Sequence, residues 1–200
     1  MSRGLGQPIV NITGETVALG PLRRDLLPLY HRWFNDFVAV RNFDDTPEPW
    51  TLERATALYE ARAGASPENI TFTIYERATL DPIGYTMLDG ISYRHRSAEF
   101  AIHLGEASAR GKGYGTETAR LMLDYAFTAL GLHSVNLGVA EFNLAGIRAY
   151  ERAGFQQTGR FRQSWLMGGR LWDEIIMDCL ASEFETPLLA EGFAQIDERE

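Results

Sequence analysis

The stretch ARGKGYGTE, residues Ala109–Glu117, places three glycines directly before a segment with the apolar spacing of a helix. The first backbone N–H groups of a helix have no partner within the helix and lie at its positive end. Glycine lets this backbone approach an anion closely because it has no Cβ. Arg110 and Lys112 would add positive charge. Taken alone, the stretch is compatible with a phosphate-binding loop or with an ordinary glycine-rich turn.

Two common phosphate-binding motifs do not fit this loop. A P-loop requires Ser or Thr directly after its lysine, but Lys112 is followed by Gly113. A dinucleotide-binding fingerprint, G-x-G-x-x-G, that starts at Gly111 needs a third glycine where Thr116 stands. That fingerprint also follows the first strand of its fold, whereas this loop follows three consecutive predicted strands. Spacing and context therefore exclude both motifs.

Strands and helices are predicted on both sides of the loop from hydrophobic spacing, caps and turn residues. Strands are predicted at 16–22, 70–77, 84–92, 97–104, 134–140, 155–167 and 170–180. Helices are predicted at 24–36, 52–63, 116–130 and 143–154. Thr51 is a natural cap for the second helix and Gly64 ends it, while Gly168 and Gly169 predict a two-residue hairpin.

The resulting element order is β-α-α-β-β-β-α-β-α-β-β, which indicates an α/β fold (α+β, with a mixed sheet). Neighbouring strands are joined mostly by hairpins, with helical crossovers around the glycine loop. The sequence contains no internal repeat and no linker that would divide it. We therefore predict a single domain over residues 13–182 and a loosely held acidic tail over 183–200.

Composition limits the class of protein and its partners. The 200 residues carry a net charge of −8, which argues against a nucleic-acid partner. No apolar segment has the length of a signal peptide core or a membrane span, which predicts a soluble cytoplasmic protein with no membrane partner. The histidines lack metal-ligand spacing, so we expect no metal site. Cys179, in a predicted strand, is expected to be a buried, inert thiol.

Two motifs occur together in the second half of the chain. Arg110, Gly113 and Gly115 match R/Q-x-x-G-x-G/A at the glycine loop. The segment NLAGIRAYERAGF (143–155) matches N-x-x-A-I-x-x-Y-x-x-x-G-F, with Gly146 where alanine is usual. On these motifs and on its element order, the chain resembles the GNAT superfamily of acetyl-CoA-dependent N-acetyltransferases.

Further stretches resemble one branch of that superfamily, which holds ribosomal-protein N-terminal and polyamine acetyltransferases. They are W-x-N-D in the first helix (Trp33, Asn35 and Asp36), AEFAIHL (98–104) and the last hairpin. The resemblance implies an enzyme that moves acetyl to a primary amine by direct attack in a ternary complex. It also implies that the central strands splay apart around acetyl-CoA.

The resemblance assigns cofactor-binding positions to three elements. Backbone N–H groups of the loop would hold the pyrophosphate, and a backbone N–H of the preceding strand would bind the thioester carbonyl and its developing oxyanion. Plain strand pairing is the competing interpretation for that strand. The implied residues are Ile102, His103, Leu104, Arg110, Gly111, Lys112, Gly113, Tyr114, Gly115, Thr116, Asn143 and Ala145.

Two side chains are candidates for proton transfer. Tyr150 matches the tyrosine of the second motif and is the candidate general acid, since a phenol with a pKa of about 10 stays protonated at neutral pH. Glu99 is the candidate general base, acting through water, and His103 is a second candidate on the same strand face. The competing interpretations are a core tyrosine, a surface glutamate and a structural histidine.

The acceptor site is expected near the first two helices, their connection and the last hairpin. Its candidate residues are Trp33, Asp36, Asp44 and Asp45, although the acidic ones also fit a solvated turn-rich loop. The acceptor itself stays open between a protein N-terminus, a polyamine and another small amine. The alternative function is a catalytically silent acyl-CoA sensor or interaction domain. Exposed strand edges make a homodimer possible.

Overall fold

The computed structural model describes residues 6–43, 47–64, 66–185 and 189, in which eight strands form one sheet in the order β1-β2-β3-β4-β5-β6-β8-β7. The strands are β1 (Ile12–Thr13), β2 (Val17–Pro21), β3 (Ile70–Glu76), β4 (Pro82–Ser92), β5 (Ser97–Leu104), β6 (Ser134–Ala140), β7 (Gln156–Met167) and β8 (Arg170–Leu180). All neighbours pair antiparallel except β5 and β6, which are parallel. The mixed sheet predicted from the element order is confirmed.

The helices are α1 (Leu27–Phe34), α2 (Phe37–Val40), α3 (Leu52–Ala63), α4 (Tyr114–Asp124) and α5 (Leu144–Ala153). Thr51 caps α3 by accepting from the Arg54 N–H, and Gly64 ends it, as predicted. The predicted helix 116–130 begins two residues earlier, because Gly113 serves as its N-cap, and changes at Tyr125 into a π-helical turn. The short elements β1 and α2 were not predicted from the sequence.

The parallel pair β5–β6 separates after three residues. Its register runs only from Ser97 opposite Ser134 to Glu99 opposite Asn136, although both strands continue. Beyond that point β6 remains paired with β8, and β5 remains paired with β4. Residues 100–104 of β5 therefore have no ladder partner on their β6 side within the described residues. This is the splay that the resemblance predicts.

Each face of the sheet packs a separate core, because side chains alternate between faces along a strand. Phe72 and Ile74 of β3 join the α4 and α5 core, while Tyr75 joins the α1 and α3 core. Trp33 lies in this second core at 1% exposure, and a Cβ on Gly105 would meet its ring at 2.2 Å. Because its ring is enclosed by protein, the structure does not support the prediction that Trp33 contacts the acceptor.

The described part of the predicted tail contacts the domain. Phe184 packs edge-on against Phe127 at 5.7 Å between ring centres. The carboxylate of Asp124, which is buried, accepts hydrogen bonds from the Thr128 hydroxyl and the Leu189 N–H, both at 2.8 Å. The chain is thus held to the end of α4 beyond the predicted boundary at 182. The other residues of the predicted tail lie outside the described residues.

Three further features bear on function. Cys179 is buried, and this burial raises the pKa of its thiol to about 11, so the thiol stays protonated. Within the described residues, no group of His, Cys, Asp and Glu side chains is arranged to hold a metal ion. None of the described helices has both the length and the apolar character needed to cross a membrane.

Candidate active site

The glycine loop forms one wall of a cleft with a volume of about 430 Å³. Gly113 is the N-cap of α4 at φ 87°, Gly111 precedes it at φ 74°, and a Cβ on either would meet nothing within 4 Å. Among the residues that the structure describes, no side chain caps this helix. The first N–H groups of α4 are therefore left without a side-chain acceptor from that part of the chain where an anion would lie, and the positive φ values explain why the loop uses glycine.

The second wall of the cleft is the unpaired edge of β5, where Ile102, His103 and Leu104 line it. Arg110 ties the loop to this strand, since its Nε and Nη2 atoms donate to the Leu104 carbonyl at 3.4 and 3.3 Å. Its Nη2 atom also lies 3.9 Å from Oδ2 of Asp36. The splay thus leaves backbone groups of β5 facing the space that the glycine loop borders.

The third wall is α5, which contributes Asn143, Ala145 and Tyr150. Asn143 caps the helix by accepting from the Gly146 N–H at 3.0 Å, so it is both a cap and a cleft residue. A Cβ on residue 146 would lie 2.6 Å from the Asn143 amide nitrogen. Glycine therefore leaves room for this cap at the position where the motif usually has alanine.

Two cationic residues of the cleft were missed by the sequence reasoning. Arg148 and Arg152 line the same cleft as Ala145 and Ala149. Positions 145, 148, 149 and 152 follow the spacing i, i+3, i+4 and i+7, which places all four on one helix face. That spacing was available in the sequence and would have identified them, because a helix face with two small residues and two arginines suits phosphate groups.

Two predicted side chains point elsewhere. The Tyr114 ring is buried on the sheet side of α4, and its hydroxyl donates to the Glu76 carboxylate at 2.5 Å. The Lys112 Nζ atom lies 5.7 Å from the centre of that ring. Neither residue lines the cleft, so the structure does not support a cofactor contact by these two side chains. Gly115 and Thr116 do line it.

Tyr150 is half-buried where α5 meets β5. Its ring packs edge-on against Phe100 and Phe155, each 6.0 Å away between ring centres. Desolvation raises the pKa of its phenol to about 12. The hydroxyl therefore stays protonated at neutral pH, and within the described residues it has no hydrogen-bond partner.

A second cleft, of about 340 Å³, lies on the opposite face of the sheet between α1, α3 and strands β3–β5. We call it the aromatic cleft, because aromatic side chains form most of its walls. Its ionic end is formed by the charged side chains of Arg62, Asp89 and Glu99. The aromatic residues are Tyr30, Phe34, Phe43, Trp50, Tyr59 and Tyr85. Asp89 and Glu99 lie opposite each other on β4 and β5, and both line this cleft together with Arg62. Such a site suits an ammonium group on an organic chain.

The two carboxylates of this cleft differ in their partners. Asp89 forms an ion pair with Arg62 of α3. The amide nitrogen of Asn69, in the orientation that satisfies it, lies 3.0 Å from the same Asp89 oxygen. Glu99 is exposed and, within the described residues, has neither an ion-pair partner nor a hydrogen-bond donor. Glu99 is therefore the carboxylate that remains available to a cation.

The two clefts meet at Phe43, which lines both. His103 lies beside it, stacked on Tyr85 at 5.2 Å and edge-on to Phe43 at 5.4 Å. Burial, with a smaller contribution from Arg110, lowers the pKa of His103 to about 4, so its imidazole is neutral at neutral pH. So low a pKa makes His103 a poor general base. Glu99 is the candidate base because of its own position in the aromatic cleft, and not because of this comparison.

The structure places the residues that were predicted to bind the acceptor in different environments. Asp36 caps α2, since its carboxylate accepts from the Val38 and Ala39 N–H groups at 3.1 and 3.3 Å. It faces Arg110 of the loop and does not line the aromatic cleft, so its role as an acceptor ligand is not supported. Asp44 and Asp45 lie outside the described residues. Trp50, which follows them, does line the cleft.

Comparison with known families agrees with this arrangement. Residues 17–156 match the family described as the acetyltransferase (GNAT) domain. The chain belongs to the GNAT family. It is an acetyl-CoA-dependent N-acetyltransferase, and the open helix terminus, the unpaired β5 edge and the arginines of α5 fit a CoA molecule as its cosubstrate.

Individual relatives are polyamine enzymes. Spermidine N(1)-acetyltransferase of Escherichia coli K12 is 29% identical over 179 residues, which cover 90% of this chain and 91% of that protein. Its counterpart from Vibrio cholerae is 36% identical over 111 residues, which cover 56% of this chain and 64% of that protein. A crystal structure of spermidine N-acetyltransferase from Vibrio cholerae with CoA and spermine aligns with a TM-score of 0.78 and 28% identity, covering 84% of this chain and 98% of that one.

The conformation of Gly113 gives a direct test of the cofactor loop. At φ 87°, alanine would cost about 1–2 kcal/mol or force the loop to move, which displaces the N–H groups at the start of α4. We expect Gly113→Ala to weaken acetyl-CoA binding about ten-fold in calorimetry. Gly6→Ala is the control, because its Cβ would meet nothing within 4 Å and Gly6 lines neither this cleft nor the second one. Unchanged affinity in a folded Gly113→Ala protein would contradict this assignment of the loop.

Proposed function

We propose that this GNAT enzyme acetylates a small aliphatic primary amine of the polyamine class, which binds in the aromatic cleft. The observation that carries the proposal is the cleft itself: six aromatic residues and the unpaired Glu99 carboxylate lie on the sheet face opposite the cofactor cleft. Phe43 borders both spaces, so an amine in one is next to a thioester in the other. The named activity of the relatives supports the same acceptor class.

The proposed reaction is a direct attack in a ternary complex. Glu99, through water, accepts the proton that the ammonium group must lose before its nitrogen lone pair is available. The amine nitrogen then forms a bond to the acetyl carbon, and the carbon–sulfur bond of the thioester breaks as the nitrogen loses its second proton through water, which restores the proton that Tyr150 gives up. A backbone N–H in 102–104 stabilises the negative charge on the carbonyl oxygen, and Tyr150 donates its proton to the departing thiolate.

The other acceptors and the alternative function are less well supported. A peptide N-terminus requires an open groove in which the peptide backbone can pair, whereas the aromatic cleft is walled by α1, α3 and the sheet. A catalytically silent acyl-CoA sensor has no need of a proton donor, yet Tyr150 is retained at the cofactor cleft. The relatives compared above are also named as enzymes.

Release of the CoA thiol from acetyl-CoA tests the proposed function. We expect release that depends on putrescine, spermidine or spermine, with a mono-acetylated amine identified by mass spectrometry. Aminoglycosides and peptides with free N-termini serve as the competing acceptor classes in the same assay. Acetylation confined to peptides would overturn the polyamine proposal, and acetyl-CoA binding without turnover on any amine would favour the silent alternative.

The homodimer suggested by the sequence also remains a proposal. The β7–β8 hairpin exposes large apolar side chains, namely Phe161 at 61%, Leu166 at 61% and Leu171 at 50%. Side chains of this kind that cluster on one hairpin are common in protein interfaces. A second copy of the chain is one partner that would cover them.

A further inference from the structure

Three charged side chains, those of Arg62, Asp89 and Glu99, lie at the ionic end of the aromatic cleft, and only two of them form an ion pair with each other. Arg62 lies in the last turn of α3 and Asp89 lies on β4, so their ion pair crosses from the helix to the sheet. Glu99 lies opposite Asp89 on β5 and remains unpaired within the described residues. Two carboxylates thus face the cleft, but one is already neutralised by the protein.

We propose that Arg62 is a specificity-determining residue, which masks Asp89 and reserves this end of the cleft for a single ammonium group. The inference rests on the proposed function and refines it. An acceptor that places one ammonium group at this end can form an ion pair with Glu99. A second cation at the same end would meet the Arg62 guanidinium and a carboxylate that is already engaged.

The local contacts support this masking. The side chains of Arg62 and Asp89 are only 25% and 30% exposed, so water screens their pair less than it screens a surface pair. The Asn69 amide beside Asp89 occupies a further hydrogen-bonding position of the carboxylate. Asp89 is therefore held by Arg62 of α3 and by Asn69, which lies just before β3. Its carboxylate is not free to turn toward a ligand while Arg62 is present.

A purely structural role for Arg62 makes a different prediction. If the pair only fastened α3 to the sheet, its loss would lower stability and reduce the turnover of all amines in the same proportion. If Arg62 masks Asp89, its loss increases the number of available carboxylates at this end from one to two. The ratio between diamine and monoamine acceptors separates these roles, because it cancels any uniform loss of activity.

The experiment compares acceptors that differ only in a second amino group. Two matched pairs are used, putrescine with butylamine and 1,6-diaminohexane with hexylamine, so that two chain lengths are covered. In Arg62→Gln we expect the diamine-to-monoamine ratio of kcat/KM to rise about ten-fold in at least one pair. Arg62→Lys, which keeps the charge, should leave the ratio near that of the wild type.

Controls within the same chain make the result interpretable. Arg24→Gln breaks the exposed pair between Arg24 and Glu60 of α3, neither of which lines the cleft, and it should not change the ratio. Asp89→Asn leaves Arg62 as an unpaired cation and should lower the ratio. The double variant Arg62→Gln/Asp89→Asn lacks the unmasked carboxylate, so its ratio should lie well below that of Arg62→Gln.

The outcomes distinguish this inference from the proposed function. Turnover of these amines with the same ratio in the wild type and in Arg62→Gln would overturn the role of Arg62 alone. A ratio that stays high in the double variant would also overturn it, because Asp89 would then not be the group that is unmasked. Absence of turnover with any of the amines by the wild type would overturn both proposals.

Discussion

Replacing Tyr150 with phenylalanine is expected to lower kcat about a hundred-fold, within the usual contribution of a general acid. The thiolate then has to leave without a proton from the phenol. Binding of acetyl-CoA should change by less than about two-fold, because the ring that packs on Phe100 and Phe155 is kept. Steady-state kinetics with the best acceptor and calorimetry with acetyl-CoA measure the two quantities separately.

Tyr125→Phe is the matched control for this substitution. Tyr125 is also a half-buried tyrosine packed edge-on against a phenylalanine, Phe72, at 5.3 Å, but it does not line either cleft. Its loss of a hydroxyl should leave kcat unchanged. Equal turnover in the wild type and in Tyr150→Phe would remove Tyr150 from the mechanism.

The raised pKa of Tyr150 also predicts the pH dependence of the reaction. An acid must be protonated to act, and a group with a pKa of about 12 is protonated at every pH below that value. Deprotonation of Tyr150 would therefore reduce kcat only as the pH rises toward 12. A loss of activity between pH 8 and 9 would have to come from another group.

Replacing Glu99 with glutamine is expected to lower kcat/KM about a hundred-fold, because the acceptor then loses the group that removes its proton. The loss should be greatest at low pH, where less of the amine is already neutral in solution. A pH–rate profile of the wild type and of Glu99→Gln with the same acceptor provides the measurement. Superimposable profiles would exclude Glu99 as the base.

The kinetic constants also distinguish two roles for Glu99. If it only attracts the ammonium group, KM should rise while kcat is retained; if it accepts the proton, kcat itself should fall. Glu60→Gln is the control, since Glu60 is an exposed glutamate of α3 that pairs with Arg24 outside the cleft. Its substitution should leave both constants near those of the wild type.

Local signals in the sequence predicted much of the fold. Thr51 and Gly64 identify the ends of α3 because a cap satisfies backbone groups within one turn. Gly168 and Gly169 identify the last hairpin, since both adopt the positive φ that its turn requires. Gly111 and Gly113 likewise adopt positive φ, a local property of their loop that the presence of glycine predicts.

The aromatic cleft was harder to predict because its residues come together only through the sheet and α3. Asp89 and Glu99 are ten residues apart, and only the register of β4 against β5 places them side by side. Arg62 reaches Asp89 from a helix whose position no local pattern specifies. Trp33 illustrates the same limit: a tryptophan beside acidic residues resembles a ligand site in the sequence, but packing against Gly105 places it in the core.

Because the β5–β6 ladder is short, few backbone hydrogen bonds join the two halves of the sheet. This ladder divides the strands into two blocks that are each continuous in sequence, Ile12–Leu104 and Ser134–Leu180, joined along this seam by three residue pairs. The cofactor cleft is lined by both blocks, with Ile102 and Leu104 on one side and Asn143 and Tyr150 on the other. A cosubstrate bound there acts as a non-covalent crosslink, and at a hundred times its Kd it adds about 2.7 kcal/mol to the free energy of unfolding. Binding of the acetyl donor therefore stabilises the association of the two blocks, and this contribution is lost when CoA leaves.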